Sequence, residues 1–255
     1  MSMKLLRSMA IVVVLIVAVS PQNTMGAVTD DEDTARRILE KADQIRFPRE
    51  AFEVDVQIRT TTPGQSAELR KYRVLSKGNA NTLVMITEPA SERGQIMLMK
   101  DRDLWVFLPS VSQPVRLSLG QRLTGQVANG DLARSNFSGD YAPKILRKDD
   151  TDGESYYVLE LTAVDRSITY NKVIYWVKQS NFRPHRAEFY SVSNRLLKTC
   201  RYENYQTLMG SMRPTRLVME DALRKGEESV LEYSAMKLRD LPDKIFTKEH
   251  LNKLQ

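Results

Sequence analysis

Short segments in which apolar and polar side chains alternate make up most of this chain. In residues 52–59 every second residue is apolar and the others are charged or amide-bearing, which is typical of a β-strand with one buried face. Similar segments recur at a spacing of roughly 8–12 residues, with turn signals such as Pro63 and Gly64 between them. These candidate strands cover residues 69–76, 82–87, 95–100, 103–108, 144–147, 156–163, 172–177, 186–190, 196–202, 216–219 and 229–238. The pattern predicts a mainly β fold with a large antiparallel sheet, closed or nearly closed on itself.

One amphipathic helix precedes the first strand. Its apolar positions recur at helical spacing, with charged residues between them: Ala35, Ile38, Leu39, Ala42 and Ile45. Asp33 is the expected N-cap and Pro48 the expected stop. The apolar stripe must be buried against another part of the fold. Residues 247–254 suggest a second, short helix.

Some strands are apolar on both faces, which a sheet with one wet face would not be. The clearest cases are residues 96–99, 104–108 and 174–177. One interpretation is an apolar cavity inside a curved sheet. The other is that these are central strands, packed on both sides by helices or loops. We favour the cavity, because the flexible thioethers of Met97 and Met99 suit varied apolar ligands.

Residues 110–141 form a long stretch with little strand pattern. Stretches of this length in a compact domain usually have a functional role or are mobile. Asp131 could cap one helical turn that ends near Phe137, with Gly139 releasing the chain from the turn. We therefore expect a movable element here.

Three blocks in and beside this stretch resemble a known family. Residues 104–109 read Leu-Trp-Val-Phe-Leu-Pro, residues 120–123 read Gly-Gln-Arg-Leu, and residues 130–141 read Gly-Asp-Leu-Ala-Arg-Ser-Asn-Phe-Ser-Gly-Asp-Tyr. With the N-terminal helix and the strand ladder, they make the chain similar to a divergent branch of the LolA-like outer-membrane lipoprotein-sorting proteins of Gram-negative bacteria. The first and third blocks are the specific part of this resemblance, which covers nearly all of residues 27–255.

The resemblance implies an unclosed antiparallel β-barrel, or half-barrel, wrapped over capping α-helices and enclosing an apolar cavity. Residues 27–255 would form a single lipid- or lipoprotein-binding domain. Proteins of this family bind acyl chains of lipoproteins or lipids and carry them through the periplasm. Their partners are an inner-membrane exporter, of the ABC type for LolA and often of the RND type for the divergent branch, and an outer-membrane acceptor. The resemblance therefore implies a monomeric carrier.

Two groups of residues are predicted to form its site. The cavity lining comes from the strands with two apolar faces: Met97, Met99, Trp105, Phe107 and Trp176. The lid or mouth comes from the stretch without strand pattern: Arg122, Asp131, Arg134, Phe137 and Tyr141. Each buried methylene contributes about 0.8 kcal/mol, and a carrier must also release its load, so we expect an adjustable pocket under a movable lid. For Asp131 and Arg134, a local salt bridge or cap that holds the stretch in place is an equally good interpretation.

The N-terminal end has the pattern of an export signal. Lys4 and Arg7 precede residues 9–19, an unbroken run of eleven apolar residues, and small residues at 26 and 27 offer a cleavage site. The run is shorter than the roughly 20 apolar residues that cross a bilayer. We predict that residues 1–26 are a removed signal peptide and that the rest of the chain works in the periplasm. An uncleaved anchor is the alternative.

The sequence contains no recognisable catalytic or metal-binding motif. Its only histidines, His185 and His250, are far apart, and H-E-x-x-H, C-x-x-C, G-x-S-x-G and glycine-rich phosphate loops are absent. The formal charge of +6 is spread over interspersed acids and bases, which argues against a nucleic-acid partner. Cys200 is the only cysteine and is expected to be a small buried side chain. We expect a protein that is not an enzyme and needs no cofactor or metal.

Two other roles without catalysis fit the same sequence. One is an adaptor that docks on an RND-type exporter without carrying a load, which would need an exposed docking patch and no real cavity. The other is a periplasmic lipid sensor with a signalling partner. Such regulators usually carry a second C-terminal domain, and only 17 residues follow Leu238 here.

Overall fold

One antiparallel sheet of 13 strands dominates the computed structural model, which describes residues 30–78, 80–111, 113–134 and 136–251. In chain order its helices and strands are α1 (Asp30–Arg46), β1 (Phe52–Thr61), β2 (Glu68–Lys77), β3 (Asn81–Glu88), β4 (Ile96–Lys100), β5 (Asp103–Phe107), β6 (Val115–Leu117), β7 (Arg122–Thr124), β8 (Val127–Ala128), α2 (Asn129–Ala133), β9 (Tyr141–Thr151), β10 (Glu154–Ala163), β11 (Lys172–Lys178), β12 (Pro184–Tyr190), β13 (Leu196–Leu208), β14 (Ser211–Asp221), β15 (Glu228–Leu238) and α3 (Lys248–Leu251). The predicted export signal at residues 1–26 lies outside the described residues.

The sheet is an open half-barrel. Its spatial order is β6-β5-β4-β3-β2-β1-β15-β14-β13-β12-β11-β10-β9, so β6 and β9 are unpaired edges, while β7 and β8 form a separate pair. The first and last strands, β1 and β15, lie side by side in the middle. The predicted mainly β half-barrel over helices is confirmed.

The helix α1 lies on one face of this sheet, called the inner face here, against β9, β12 and β14. Its predicted apolar stripe is buried at Ala35, Ile38, Leu39 and Ala42. The predicted N-cap is wrong, because Asp33 lies inside the helix, whereas the helix end at Arg46 agrees with the predicted stop.

The side chains of the inner face form the main core. Across the sheet from β4 to β11 they include Met97, Tyr72, Val56, Leu231, Leu217, Tyr202 and Tyr175. The strand period of two places their sequence neighbours on the opposite, outer face.

The outer face of β3, β4 and β5 has its own cover. Residues 239–251, called the C-terminal cover here, place Leu241, Phe246 and Leu251 against Leu98 and Phe107. The predicted terminal helix appears within this cover as α3. The two apolar faces of β4 and β5 therefore reflect packing on both sides, which is the second of the two interpretations considered above.

Candidate functional site

A loop segment closes the half-barrel over the inner face. Residues 118–134 and 136–140, called the inner cover here, contain β7, β8 and α2. Their apolar side chains join the main core: Leu119, Val127, Ala128, Leu132, Ala133 and Phe137. The inner cover is the stretch for which the sequence predicts a lid.

The half-barrel is filled by its own side chains in this conformation. Against the inner face, the described residues leave a space of about 20 Å³ beside Arg46 and Phe137, and one of about 10 Å³ beside Phe52 and Leu132. A single buried water needs about 10–15 Å³. An acyl chain could therefore lie on the inner face only after the inner cover moves.

The residues predicted to line the cavity lie on both faces of the sheet. Met97 and Met99 point to the inner face and are 3% and 0% exposed. Trp105 and Phe107 pack on the outer face with the C-terminal cover. Trp176 also points outward, where its Nε1 donates to Asp149 Oδ2 at 3.0 Å. A ligand-binding role stays a prediction for this set, and the geometry allows it on the inner face only for the two methionines.

The predicted lid residue Asp131 anchors the inner cover to the sheet. It lies inside α2, three residues after the N-cap Ala128, and not at the N-cap itself as the sequence predicts; from there its Oδ2 accepts from Ala128 N at 2.8 Å. The same carboxylate accepts from Lys198 Nζ at 2.6 Å and from the Tyr170 hydroxyl at 2.9 Å. Burial, followed by the nearby Asp131 charge, raises the pKa of Tyr170 well above its usual value. The helix ends at Ala133, before the predicted end near Phe137.

A second carboxylate, Asp43 of α1, holds the far end of the inner cover. Its Oδ2 accepts from Phe137 N (3.0 Å), Ser138 N (2.7 Å) and Ser138 Oγ (2.6 Å). Burial raises the pKa of Asp43, and the nearby Arg46 charge and these hydrogen bonds offset the rise only in part.

A third carboxylate, Asp140, links the start of the edge strand β9 to the turn between β4 and β5. It is 2% exposed, lies just before the edge strand β9, and accepts two hydrogen bonds from Arg134, one of them at 2.6 Å. Arg134 also donates from Nη1 to the carbonyl oxygen of Asp101, in the turn between β4 and β5. Arg102 of the same turn places its Nε 3.6 Å from Asp140 Oδ1. The closed position of the inner cover is thus set by three buried carboxylates.

The predicted lid residues Phe137 and Tyr141 are part of the inner core. The Phe137 ring packs edge-on against Tyr141 (5.5 Å between centroids) and Tyr175 (5.2 Å). Arg46 places its guanidinium carbon 4.6 Å from the same ring. Phe137 is therefore the aromatic plug of the closed half-barrel.

Glycines let the inner cover approach the sheet closely. A Cβ at Gly130 would stand 2.0 Å from Thr169 Oγ1, and one at Gly125 would stand 2.3 Å from both Ser229 Oγ and Thr60 Oγ1. A side chain at position 125 would push the cover off the sheet, and one at position 130 would push it off the loop between β10 and β11.

The predicted mouth residue Arg122 lies apart from the others. It lines a surface pocket of about 280 Å³ together with Arg195 and Arg224. Arg195 lies in the turn after β12, and Arg224 lies in the turn after β14. The structure therefore brings Asp131, Arg134, Phe137 and Tyr141 together under the half-barrel and leaves Arg122 at its rim.

The sequence reasoning missed the buried charges Asp43, Arg46 and Lys198. Arg46 lies four residues after Ala42 and seven after Leu39, so a helical wheel already places it on the buried stripe of α1. Lys198 lies two residues before the buried Cys200 in β13, so the strand period of two places both side chains on the same buried face. Burial raises the pKa of Cys200 to about 12, which agrees with the expected buried thiol.

Two further findings concern the described residues only. No helix among them is both long and apolar enough to cross a membrane. No three His, Cys, Asp or Glu side chains in this part of the chain come together as metal ligands.

Solved structures of similar proteins share this architecture. A LolA superfamily protein from Nitrosomonas europaea is 69% identical, covers 85% of this chain and 98% of its own, and superposes with a TM-score of 0.82. A DUF1329 family protein from Desulfovibrio piger (21% identity, 88% of this chain, 100% of its own) and a putative outer membrane lipoprotein-sorting protein domain from Vibrio parahaemolyticus (20%, 87%, 99%) both give a TM-score of 0.73. The last two identities show the fold alone.

Sequence comparison adds one family match. A family model described as an uncharacterized protein matches residues 78–253. No curated protein sequence matches the chain. The high identity to the Nitrosomonas europaea protein over most of both chains establishes that this chain belongs to the LolA superfamily.

Proposed function

We propose that this protein is a periplasmic carrier that binds acyl chains of lipoproteins or lipids on the inner face of the half-barrel and ferries them between the inner and outer membranes. One observation carries the proposal. The inner face is lined mainly by apolar side chains, yet it is covered by a segment that charged groups hold in one defined position.

Exchange between the cover and an acyl chain is energetically balanced. Apolar contacts are non-directional, so methylenes can replace Leu132 and Phe137 against the same surface. Re-exposing each of these side chains would cost about 1.5–3 kcal/mol, and each methylene buried in their place would contribute about 0.8 kcal/mol. A long acyl chain would offset the displacement, and a short one would not.

Family membership supports the same proposal. The similar Vibrio parahaemolyticus domain is named for putative outer membrane lipoprotein sorting. Residues 27–255 would form a single binding domain, released into the periplasm after removal of residues 1–26. The carrier would act without catalysis or cofactor, between an inner-membrane exporter of the ABC or RND type and an outer-membrane acceptor.

A docking adaptor without cargo is the second candidate. The filled interior favours it, because the two spaces described above beside the inner face measure only about 20 Å³ and about 10 Å³. A lipid sensor with a signalling partner needs the same opening as a carrier and has no separate support in the structure.

Mass spectrometry of the mature protein from a periplasmic extract tests the proposal. We expect a co-purifying lipid or acylated protein in native spectra, identified after lipid extraction, and displacement by a fluorescent fatty acid. Protein that is repeatedly empty and takes up no fatty acid would favour the adaptor.

A matched pair of variants locates the binding face. Met97→Gln places an amide on the inner face and should weaken fatty-acid binding about tenfold, because an unpaired amide in apolar surroundings costs about 1–3 kcal/mol. Met85→Gln makes the same change on the outer face and should leave binding unchanged. Equal effects of the two variants would contradict binding on the inner face.

A further inference from the structure

Arg46, the last residue of α1, is a buried cation with an unsatisfied donor. Its side chain is 7% exposed, and its Nη1 is buried and has no hydrogen-bond partner among the described residues. The rings of Phe137, Tyr202 and Phe47 surround it, with the guanidinium carbon 4.6, 5.5 and 5.8 Å from their centroids.

The neighbouring carboxylate of Asp43 forms an ion pair with this guanidinium but no hydrogen bond. Asp43 Oδ1 stands 3.6 Å from Arg46 Nη1, and Asp43 Oδ2 is engaged by three donors from Phe137 and Ser138. A guanidinium has five donors in a planar fork. Aromatic faces offset part of its charge but accept none of these hydrogen bonds well.

A second unpartnered donor lies close by. The Tyr175 hydroxyl is buried and has no hydrogen-bond partner. The Phe137 ring contacts both groups, at 5.2 Å from the Tyr175 ring and 4.6 Å from the Arg46 guanidinium carbon. The small space of about 20 Å³ lined by Arg46 and Phe137 lies at the same place. When the plug Phe137 withdraws, two unused donors face the vacated volume.

Buried donors without partners are rare in proteins and call for a physical reason. A permanent structural cation would be expected to have its hydrogen bonds satisfied within the fold, because an unsatisfied buried charge is strongly destabilising. A group that meets its acceptor only when a ligand is bound has no such requirement in the empty protein. The planar guanidinium fork fits carboxylate and phosphate oxygens.

We propose that Arg46, assisted by the Tyr175 hydroxyl, binds the anionic oxygens of an amphiphile's head, a carboxylate or a phosphate, while the acyl chain lies along the inner face. The proposal rests on the carrier function proposed above and names its substrate class: single-chain acidic lipids in preference to neutral ones. Phe137 occupies the head-group position in the empty protein and leaves it on loading.

Paired ligands that differ only in the head test this assignment. Palmitate and methyl palmitate share one chain, as do palmitoyl lysophosphatidate and monopalmitoylglycerol, and each can displace a neutral fluorescent probe from the purified mature protein. The wild type should bind the acidic member of at least one pair about tenfold or more tightly, since hydrogen bonds to charged groups have this strength. The pair that shows the preference tells carboxylate from phosphate.

Variants test whether Arg46 causes the preference for acidic lipids. Arg46→Met should bring the affinities for the acid and for its neutral partner to within about threefold of each other, mainly by weakening the binding of the acid. Arg59→Met, which removes an exposed arginine from the outer face of β1, is the matched control and should keep the preference. Arg46→Met leaves Asp43 unpaired, so two further variants guard against a folding defect. The double variant Asp43→Asn, Arg46→Met should abolish the preference for the acid. The milder variant Tyr175→Phe should reduce it.

Each result decides between the two proposals. A wild type that binds acid and neutral lipids equally would overturn the head-group site and leave the carrier intact. A wild type that binds neither member of either pair would overturn the carrier function and the head-group site with it. An acid preference that survives in every folded Arg46 variant would also overturn the assignment.

Discussion

Two covers lie on opposite faces of the same sheet and are held by different forces. The C-terminal cover buries Leu241, Phe246 and Leu251 to 5% exposure or less, and its ion pair between Lys77 and Asp243 lies on the surface. The inner cover also buries apolar side chains, but it is fixed by the buried carboxylates Asp131 and Asp140 and by Asp43 of α1.

The difference indicates which cover can move. Apolar contact stabilises in proportion to buried area and has no preferred geometry. A buried ion pair contributes little net stability because desolvation offsets its attraction, but it defines one position. If the protein is a carrier as proposed, we therefore expect the C-terminal cover to stay in place and the inner cover to be the part that moves.

The largest expected effect is on the C-terminal cover. Phe246→Ala removes a ring that is 2% exposed and should lower the free energy of unfolding by about 3–5 kcal/mol, measured by urea denaturation. Fatty-acid binding, measured where the variant is still folded, should not change. Loss of fatty-acid binding in the folded variant would contradict the assignment of binding to the inner face. It would instead support the predicted ligand-binding role of Trp105 and Phe107.

The anchor between Asp131 and Lys198 comes next. Lys198→Met leaves the Asp131 charge without its cation, which should cost about 3 kcal/mol, the low end for broken buried pairs, because Tyr170 and Ala128 still donate to the carboxylate. Hydrogen exchange at α2 should rise. The double variant Asp131→Asn, Lys198→Met should recover most of the stability; a double variant as unstable as the single one would show that packing, and not charge, holds the cover.

Loss of the pair between Arg134 and Asp140 should have a smaller effect on stability. Arg134→Gln removes charged hydrogen bonds to Asp140 and should cost about 1.5–3 kcal/mol while speeding the uptake of fatty acid in stopped-flow measurements. Arg147→Gln breaks a comparable but exposed pair with Asp149 and should change neither stability nor uptake. Uptake as slow as in the wild type would mean that this link does not limit opening.

The fold was predictable because most strands carry a simple signal. In β1 the alternation of apolar and polar residues matches buried and partly exposed positions almost one for one. The helix α1 was predictable from its stripe, and its start was not, because an acidic run offers several caps. Periodicity therefore predicted where the helices and strands lie and of which type they are, because both depend on residues close together in the sequence.

The site was harder, because faces and burial depend on distant parts of the chain. In β4, Ile96, Met97, Leu98 and Met99 are all buried, so alternation cannot assign the inner face; the C-terminal cover that buries Leu98 lies far along the sequence. The resemblance blocks located the stretch that covers the inner face, and its role as a lid stays a prediction. Neither route found Asp43 and Arg46, because a charged residue in a helix normally indicates a solvent-exposed position.

The smallest expected effect is the pH dependence of the α1 contact. Because burial raises the pKa of Asp43 above its ordinary value of 3.8, the native state binds this proton more tightly than the unfolded chain does. The contribution of Asp43 to stability is then fully present below pH 3.8 and is lost as the pH rises through the raised native pKa. Urea denaturation of the wild type and of Asp43→Asn over this range should show wild-type stability falling relative to the variant as the pH rises. A difference that grows with pH would mean that the pKa of Asp43 is lowered, that Arg46 outweighs desolvation, and that the two residues form a satisfied ion pair with no need of a ligand.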